Sequence, residues 1–126
     1  MAKTKAKGHQ QESRLSADDL FVRRNKEGDL MPIEVKVPGF DGKTIKVLPT
    51  TLGSVKGLTS LDEDAVQWPL AEKLRYVTEH VVDPDMRSLS IDDAMDALTV
   101  WDLDMILIAA VQAGGPQRRQ YQEKKA

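Results

Sequence analysis

The chain has 126 residues, of which 40% are hydrophobic, 30% charged and 5% aromatic, which is typical of one small soluble domain with few large core side chains. It has no cysteine, which excludes disulfides, a thiol nucleophile and a thiolate metal site. The net charge of −2 is unevenly distributed: residues 50–115 carry 4 basic and 12 acidic side chains, residues 1–26 carry 7 and 3, and residues 116–126 carry 4 and 1. The sequence therefore predicts an acidic body between basic ends.

The N-terminal segment 1–15 is small, polar and basic, and we predict that it is a disordered tail. It lacks the apolar stretch that a secretory signal requires. Its lysines have no aromatic neighbours that could stack on bases, so a solvated tail is favoured and nucleic acid is not expected as a partner. A short helix is predicted in "SADDLFVRR", with Ser16 as its N-cap.

The segment 32–48 has the clearest strand pattern. Apolar and polar residues alternate in "IEVKV" and again in "TIKV", and Asp41-Gly42 between them suits a turn that needs positive φ. We therefore predict a β-hairpin. Two strands alone are marginally stable in water, so its apolar face must pack on the helices or on another molecule. An open strand edge would also allow a homo-oligomer.

Three helices are predicted over residues 69–114. Pro69 fits the first position of the first helix, and Pro84 ends that element. Its apolar stripe has helical spacing and comprises Leu70, Leu74, Val77 and Val81.

N-cap residues mark the two helices that follow. Ser90 and Thr99 are the predicted caps, and Asp93 and Asp102 stand in the first turns, where the helix dipole favours negative charge. The sequence "AGGP" stops the last helix, so residues 116–126 are predicted to be a basic linker or tail.

The last helix is apolar on more than one side. One stripe comprises Val100, Leu103, Leu107, Ala110 and Val111, and Met105, Ile106 and Ile108 lie beyond it. The run is too short for a membrane span, which needs roughly 20 mostly apolar residues, so no membrane partner is expected. The helix is either core or shared with a partner protein. If it is shared, the candidate partner-binding residues are Val100, Trp101, Met105 and Ile108.

The polar residues do not form a recognisable catalytic or metal-binding pattern. As a calcium loop, the segment from Asp83 lacks glycine at the sixth position and ends at Ala94 in place of glutamate. His9 lies in the predicted tail, and His80 lies near a helix C-terminus, where a partly cationic ring is favoured. We predict a single α+β domain over residues 16–115, a hairpin followed by about three helices, with no catalytic residues, no cofactor and no metal.

The second half of the chain resembles a known family in the order of its elements. A helix closes on "VVDPDM", a capped "SIDDAMDAL" follows, and "DLDMILIAAVQAGG" ends on small residues. Over Leu70 to Gly115 this arrangement resembles the tail assembly chaperones of long-tailed bacteriophages.

The resemblance implies a non-enzymatic role in virion assembly. Such chaperones coat the tape measure protein and help to recruit tail tube subunits, so these two proteins are the implied partners. The resemblance also implies a location in the cytoplasm of the bacterial host, absence from the mature virion and a programmed ribosomal frameshift, for which "EKK" could be encoded by a slippery heptamer.

Two other classes of function stay open. The hairpin lies outside the part that carries the resemblance, so the chain could be a minor structural virion protein, such as a head–tail connector or a tail component. A nucleic-acid-binding module that uses the basic tails would require strongly salt-dependent DNA binding.

Overall fold

The computed structural model describes residues 14–125, which fall into two compact units, one ending at Leu30 and the other beginning at Met31. The sequence predicts one domain from residue 16, whereas the described chain divides after Leu30. The predicted tail 1–15 lies outside the described residues except for Arg14 and Leu15, both of which are exposed.

The first unit contains a short helix, α1, at Ala17–Leu20. The Ser16 hydroxyl accepts a hydrogen bond from the Asp19 N–H at 3.2 Å, and the Asp19 carboxylate accepts one from the Ser16 N–H at 2.9 Å. This reciprocal cap confirms the predicted helix start. The apolar side chains of Leu20 and Phe21 are exposed.

The second unit contains a three-stranded antiparallel sheet in the order β1-β2-β3, with β1 at Ile33–Lys36, β2 at Thr44–Val47 and β3 at Val81–Asp83. Ile33 lies opposite Val47 in the register of the predicted hairpin. The turn places Asp41 at φ 54° and Gly42 at φ 78°, as the sequence predicts. Alternate residues of β1 and β2 are buried, which gives the sheet one apolar face.

Helices follow the hairpin and confirm the predicted α+β fold class. A 3-10 helix spans Ala65–Gln67, α2 spans Leu70–His80, α3 spans Ile91–Ala97, α4 spans Val100–Gly114, and α5 spans Arg118–Lys125. None of the helices within residues 14–125 has the length and hydropathy that crossing a bilayer takes.

α4 is the central helix of this unit. It contacts β1, β2, α2, α5 and the 3-10 helix. Leu103, Leu107 and Ala110 are at most 2% exposed, so the middle of the predicted stripe is core. Its two ends differ from the prediction: Val100 is 60% exposed, and Val111 is partly buried.

The first predicted helix is shorter than its apolar stripe. α2 ends at His80, and Val81 begins β3, where it pairs with Val47. Leu74 and Val77 are buried, but Leu70 is 47% exposed. The predicted stripe differs from the structure at both ends. Val81 belongs to strand β3 and not to the helix, and Leu70 lies in the first turn of α2, which extends beyond the core.

The C-terminal segment differs from the predicted linker. The chain turns at Gly115–Gln117 and continues as α5, which contacts β1 and α4. Arg118 is 9% exposed, and Tyr121 packs against the core. A segment with one aromatic residue among polar ones carries no apolar stripe, so its sequence alone does not indicate packing.

The loop that follows β2 is joined to α2 and to α4. The Leu48 N–H donates to the His80 carbonyl at 2.8 Å, and the Thr50 N–H donates to the Gly114 carbonyl at 2.7 Å. A Cβ at Gly114 would lie 2.8 Å from the Leu48 carbonyl oxygen, so glycine allows α4 to approach the loop closely.

Candidate protein-binding surfaces

The four candidate residues on α4 differ in exposure. Trp101 is 78% exposed and Val100 60% exposed, whereas Met105 and Ile108 are partly buried. Met105 also packs against the core cluster. The structure therefore places two of them largely in solvent and two at the margin of the packed interior.

The start of α4 orients these side chains. The Thr99 hydroxyl accepts a hydrogen bond from the Asp102 N–H at 3.1 Å, which fixes the first turn. From there Trp101, Met105 and Ile108 follow at spacings of four and three residues and share one side of the helix. We call these three residues the outer face of α4.

The outer face continues into a shallow pocket beside the 3-10 helix. The pocket has a volume of about 350 Å³. Its lining is mostly apolar and comprises Asp64, Ala65, Val66, Ile108, Val111 and Gln112. Val66 is itself 39% exposed, so the apolar surface extends beyond α4.

A second apolar surface lies where α2, α3 and α4 meet. Its rim is formed by Leu70, Met95 and Val100, which are 47%, 52% and 60% exposed. Its other lining residues are Leu74, Ala94, Leu98, Thr99 and Leu103, and its volume is about 90 Å³. We call this surface the three-helix groove.

Of the groove rim, only Val100 is among the partner-binding residues that the sequence predicts. Met95 lies one helical turn after Ile91, and both are exposed. An apolar pair at this spacing on a short, capped helix was the available signal. Nothing in the sequence indicated that α2 would bring Leu70 to the same place.

Acidic side chains are concentrated in and around α3, which forms one side of the three-helix groove. Residues 83–104 carry seven acidic side chains and one basic one, and Asp92 and Asp96 on α3 are exposed. Asp104 is an exception, because its carboxylate pairs with the Lys73 ammonium at 2.8 Å in a partly buried position. The uncompensated acids of α3 give this part of the surface a negative field.

A buried polar cluster connects the loop after β2 to α2. His80 Nδ1 lies 2.8 Å from the Tyr76 carbonyl oxygen, so Nδ1 carries a proton, and Nε2 lies 2.9 Å from the Ser54 hydroxyl oxygen. The ring stacks on Tyr76 with centroids 4.0 Å apart. The hydroxyls of Thr50 and Tyr76 are hydrogen-bonded to each other.

A serine hydroxyl beside a histidine nitrogen has the geometry of a nucleophile and its base. Here the Ser54 hydroxyl also accepts from the Thr51 N–H at 3.0 Å and donates to the Thr51 carbonyl at 2.9 Å, and His80 is 1% exposed. The pair is therefore placed to hold the loop on α2. The structural role predicted for His80 agrees with this geometry.

The predicted partly cationic state of His80 was wrong. Burial lowers the pKa of His80, and this effect exceeds the opposite effects of the Tyr76 carbonyl and of Glu79. The helix-dipole argument applies to an exposed ring at a helix end, whereas this ring is enclosed between the helix and the loop.

The acidic residues do not converge on a metal-binding geometry in the part of the chain that the structure describes, where no group of three or more His, Asp or Glu side chains is arranged to hold an ion. Their local roles are visible instead. Asp93 and Asp102 donate backbone N–H groups to the Ser90 and Thr99 caps, as the sequence predicts.

No family model matches the chain, and neither a curated protein nor a solved structure matches it significantly.

Proposed function

We propose that this chain is a non-enzymatic assembly chaperone of a long-tailed bacteriophage. It covers apolar surface on the tape measure protein during tail assembly and helps to recruit tail tube subunits. It acts in the cytoplasm of the bacterial host and is absent from the mature virion. The order of capped helices from Leu70 to Gly115, which resembles that family, supports this assignment.

The observation that carries the proposal is the exposure of large apolar side chains on a helix whose other side is core. Trp101 is 78% exposed although Leu103 and Leu107 are at most 2% exposed. An exposed tryptophan beside further apolar surface is typical of a protein-binding site. The outer face of α4 is therefore the proposed contact surface for the tape measure protein.

The proposal is tested by co-expressing the chain with the tape measure protein encoded by the same phage. We expect the two to co-purify, and we expect Trp101→Asp to abolish co-purification without unfolding the chain. Leu52→Asp is the matched control, because Leu52 is 93% exposed and lies outside both apolar surfaces. Co-purification that survives Trp101→Asp would contradict this contact surface.

The protein content of the mature particle distinguishes a chaperone from a structural protein. Quantitative mass spectrometry should detect the chain in the infected lysate but not in purified particles. A fixed copy number in every particle would refute the chaperone role and support a head–tail connector or tail component.

A further inference from the structure

We propose that the three-helix groove binds the apolar stripe of a basic amphipathic helix of a partner protein. The inference rests on the proposed function in one respect, namely that the chain acts by binding other proteins. It adds a second contact surface and the chemistry of its occupant.

The groove is apolar, and none of the described side chains of the second unit fills it. Leu74, Ala94 and Leu103 lie at its base and are at most 2% exposed, whereas Leu70, Met95 and Val100 around it are 47% to 60% exposed. A volume of about 90 Å³ suits a single apolar side chain inserted between the rim residues. Covering the rim would remove three large apolar side chains from water, which favours binding.

The shape of the site favours a helix as the occupant. Extended peptides bind by pairing with an exposed strand edge, but this groove is lined by side chains of α2, α3 and α4 and of the residues that join α3 to α4, and no strand residue lines it. A helix instead presents apolar residues every three or four positions along one face, and these side chains can enter a groove between other helices. The flexible Met95 side chain on the rim can adjust to such an occupant.

The charge near the groove determines whether the bound helix should be basic or acidic. Asp92, Asp93 and Asp96 occupy α3, which has no basic residue to balance them. The N-termini of α3 and α4 do not attract anions, because Ser90 and Thr99 cap them and aspartates stand in their first turns. An acidic helix would be repelled, whereas lysine or arginine flanking the apolar stripe would meet complementary charge.

The basic side chains of α2 do not neutralise the aspartates of α3. The basic side chains of α2 nearest in sequence to the rim residue Leu70 are Lys73 and Arg75. The Lys73 ammonium is paired with Asp104, and the Arg75 guanidinium is paired with Glu79 at 3.2 Å and with the Lys56 carbonyl at 2.6 Å. The acids of α3 therefore dominate the charge that an approaching helix meets.

The test uses a synthetic helical peptide with leucine at every third or fourth position and lysine elsewhere. A second peptide has the same leucines and glutamate in place of lysine. Fluorescence anisotropy of the labelled peptides reports binding to the full chain. We expect the lysine peptide to bind at least about tenfold more tightly than the glutamate peptide, a difference of about 1.4 kcal/mol.

Three variants locate the binding site. Met95→Asp and Val100→Asp each place a charge on the rim, and Leu52→Asp makes the same change at an exposed apolar residue elsewhere. All three add negative charge, so attraction by charge alone would be retained or strengthened. We expect the rim variants to bind the lysine peptide at least about tenfold more weakly and Leu52→Asp to bind it as the parent does.

Several results would overturn the inference. Equal affinity for both peptides would refute the role of charge, and undiminished binding by both rim variants would refute the groove as the site. Loss of binding in Trp101→Asp with retention in Met95→Asp would move the peptide to the outer face of α4. Dimerisation of the peptide-free chain, abolished by Met95→Asp in sedimentation experiments, would identify a second copy as the occupant.

Circular dichroism and thermal unfolding of each variant separate loss of binding from loss of fold. Met95 and Val100 are each more than half exposed, so both variants are expected to fold. The peptides contain no phage sequence, so failure of this test leaves the tape measure experiment standing. Failure of that experiment likewise leaves this one standing.

Discussion

Gly114 marks the closest approach of α4 to the loop after β2. We predict that Gly114→Ala destabilises the chain by about 1–3 kcal/mol, because the new methyl group would overlap the Leu48 carbonyl and displace the Thr50 hydroxyl, which would lie 3.1 Å away. Alanine's better helix propensity works in the opposite direction by at most about 1 kcal/mol. Urea unfolding measures the difference.

Gly53→Ala is the control for this steric argument. A Cβ at Gly53 would meet only the Thr51 hydroxyl, at 3.9 Å. This variant should be about as stable as the parent, within ~0.5 kcal/mol. If Gly114→Ala proved as stable as Gly53→Ala, the close contact would not constrain the fold.

Because His80 is buried, we predict that the chain loses folding stability in mild acid. Burial lowers the pKa of His80 below its ordinary value of 6.5. Below pH 6.5 the unfolded chain therefore binds a proton that the folded chain excludes, so the free energy of unfolding falls as the pH decreases through 6.5 towards the folded pKa. Above 6.5 the contribution of the neutral ring is fully present.

Urea unfolding between about pH 7.5 and 5.5 measures this effect. We expect the parent chain to lose stability across that interval and His80→Gln, which cannot titrate, to show a shallower slope. Hydrogen bonds from Thr59 and Ser60 lower the pKa of Glu72 from 4.5, so the stability that this carboxylate contributes is lost mainly below pH 4.5, outside the tested interval. Equal slopes in parent and variant would refute the role of His80.

At the scale of elements, α4 combines a core side and an exposed side. Leu107→Ala should cost about 2–5 kcal/mol, because Leu107 is fully buried and its removal leaves a cavity. Trp101→Ala should change stability by no more than about 0.5 kcal/mol, because Trp101 is largely in solvent. Thermal unfolding of both variants measures the contrast, and a large cost at Trp101 would show that it is structural.

The elements that the sequence predicted are those with local signals. The hairpin follows from period-two alternation and a turn that needs positive φ, and the starts of α3 and α4 follow from Ser90 and Thr99. β3 has no such signal. It consists of three residues, and it forms a strand because Val81 pairs with Val47, which is a non-local contact.

The candidate surfaces were predictable to a similar extent. An excess of apolar residues on α4 pointed to Trp101 and Ile108, because a helix cannot bury every side in so small a domain. The three-helix groove depends on Leu70 and Met95 meeting Val100 across three helices. Only the packing of α2 and α3 against α4 brings these side chains together.

At the scale of the whole molecule, α5 makes the C-terminal segment part of the packed unit. Tyr121 packs against the core cluster, whereas the adjacent Gln120 is exposed. Tyr121→Ala should therefore cost about 1–2 kcal/mol of stability, and Gln120→Ala should cost less than ~0.5 kcal/mol. Chemical denaturation distinguishes the two. Equal stability of both variants would mean that α5 contributes little to the fold.

The hydrogen bond from Thr50 to Gly114 has a consequence for synthesis on the ribosome. A chain is made from its N-terminus, so β1, β2 and the loop after them emerge well before α4, against which they pack. During that interval the apolar face of the hairpin has no α4 to cover it. The appearance of α4 outside the ribosome therefore sets the moment at which the second unit can close, and a pause before Gly114 would prolong the exposure of its sheet.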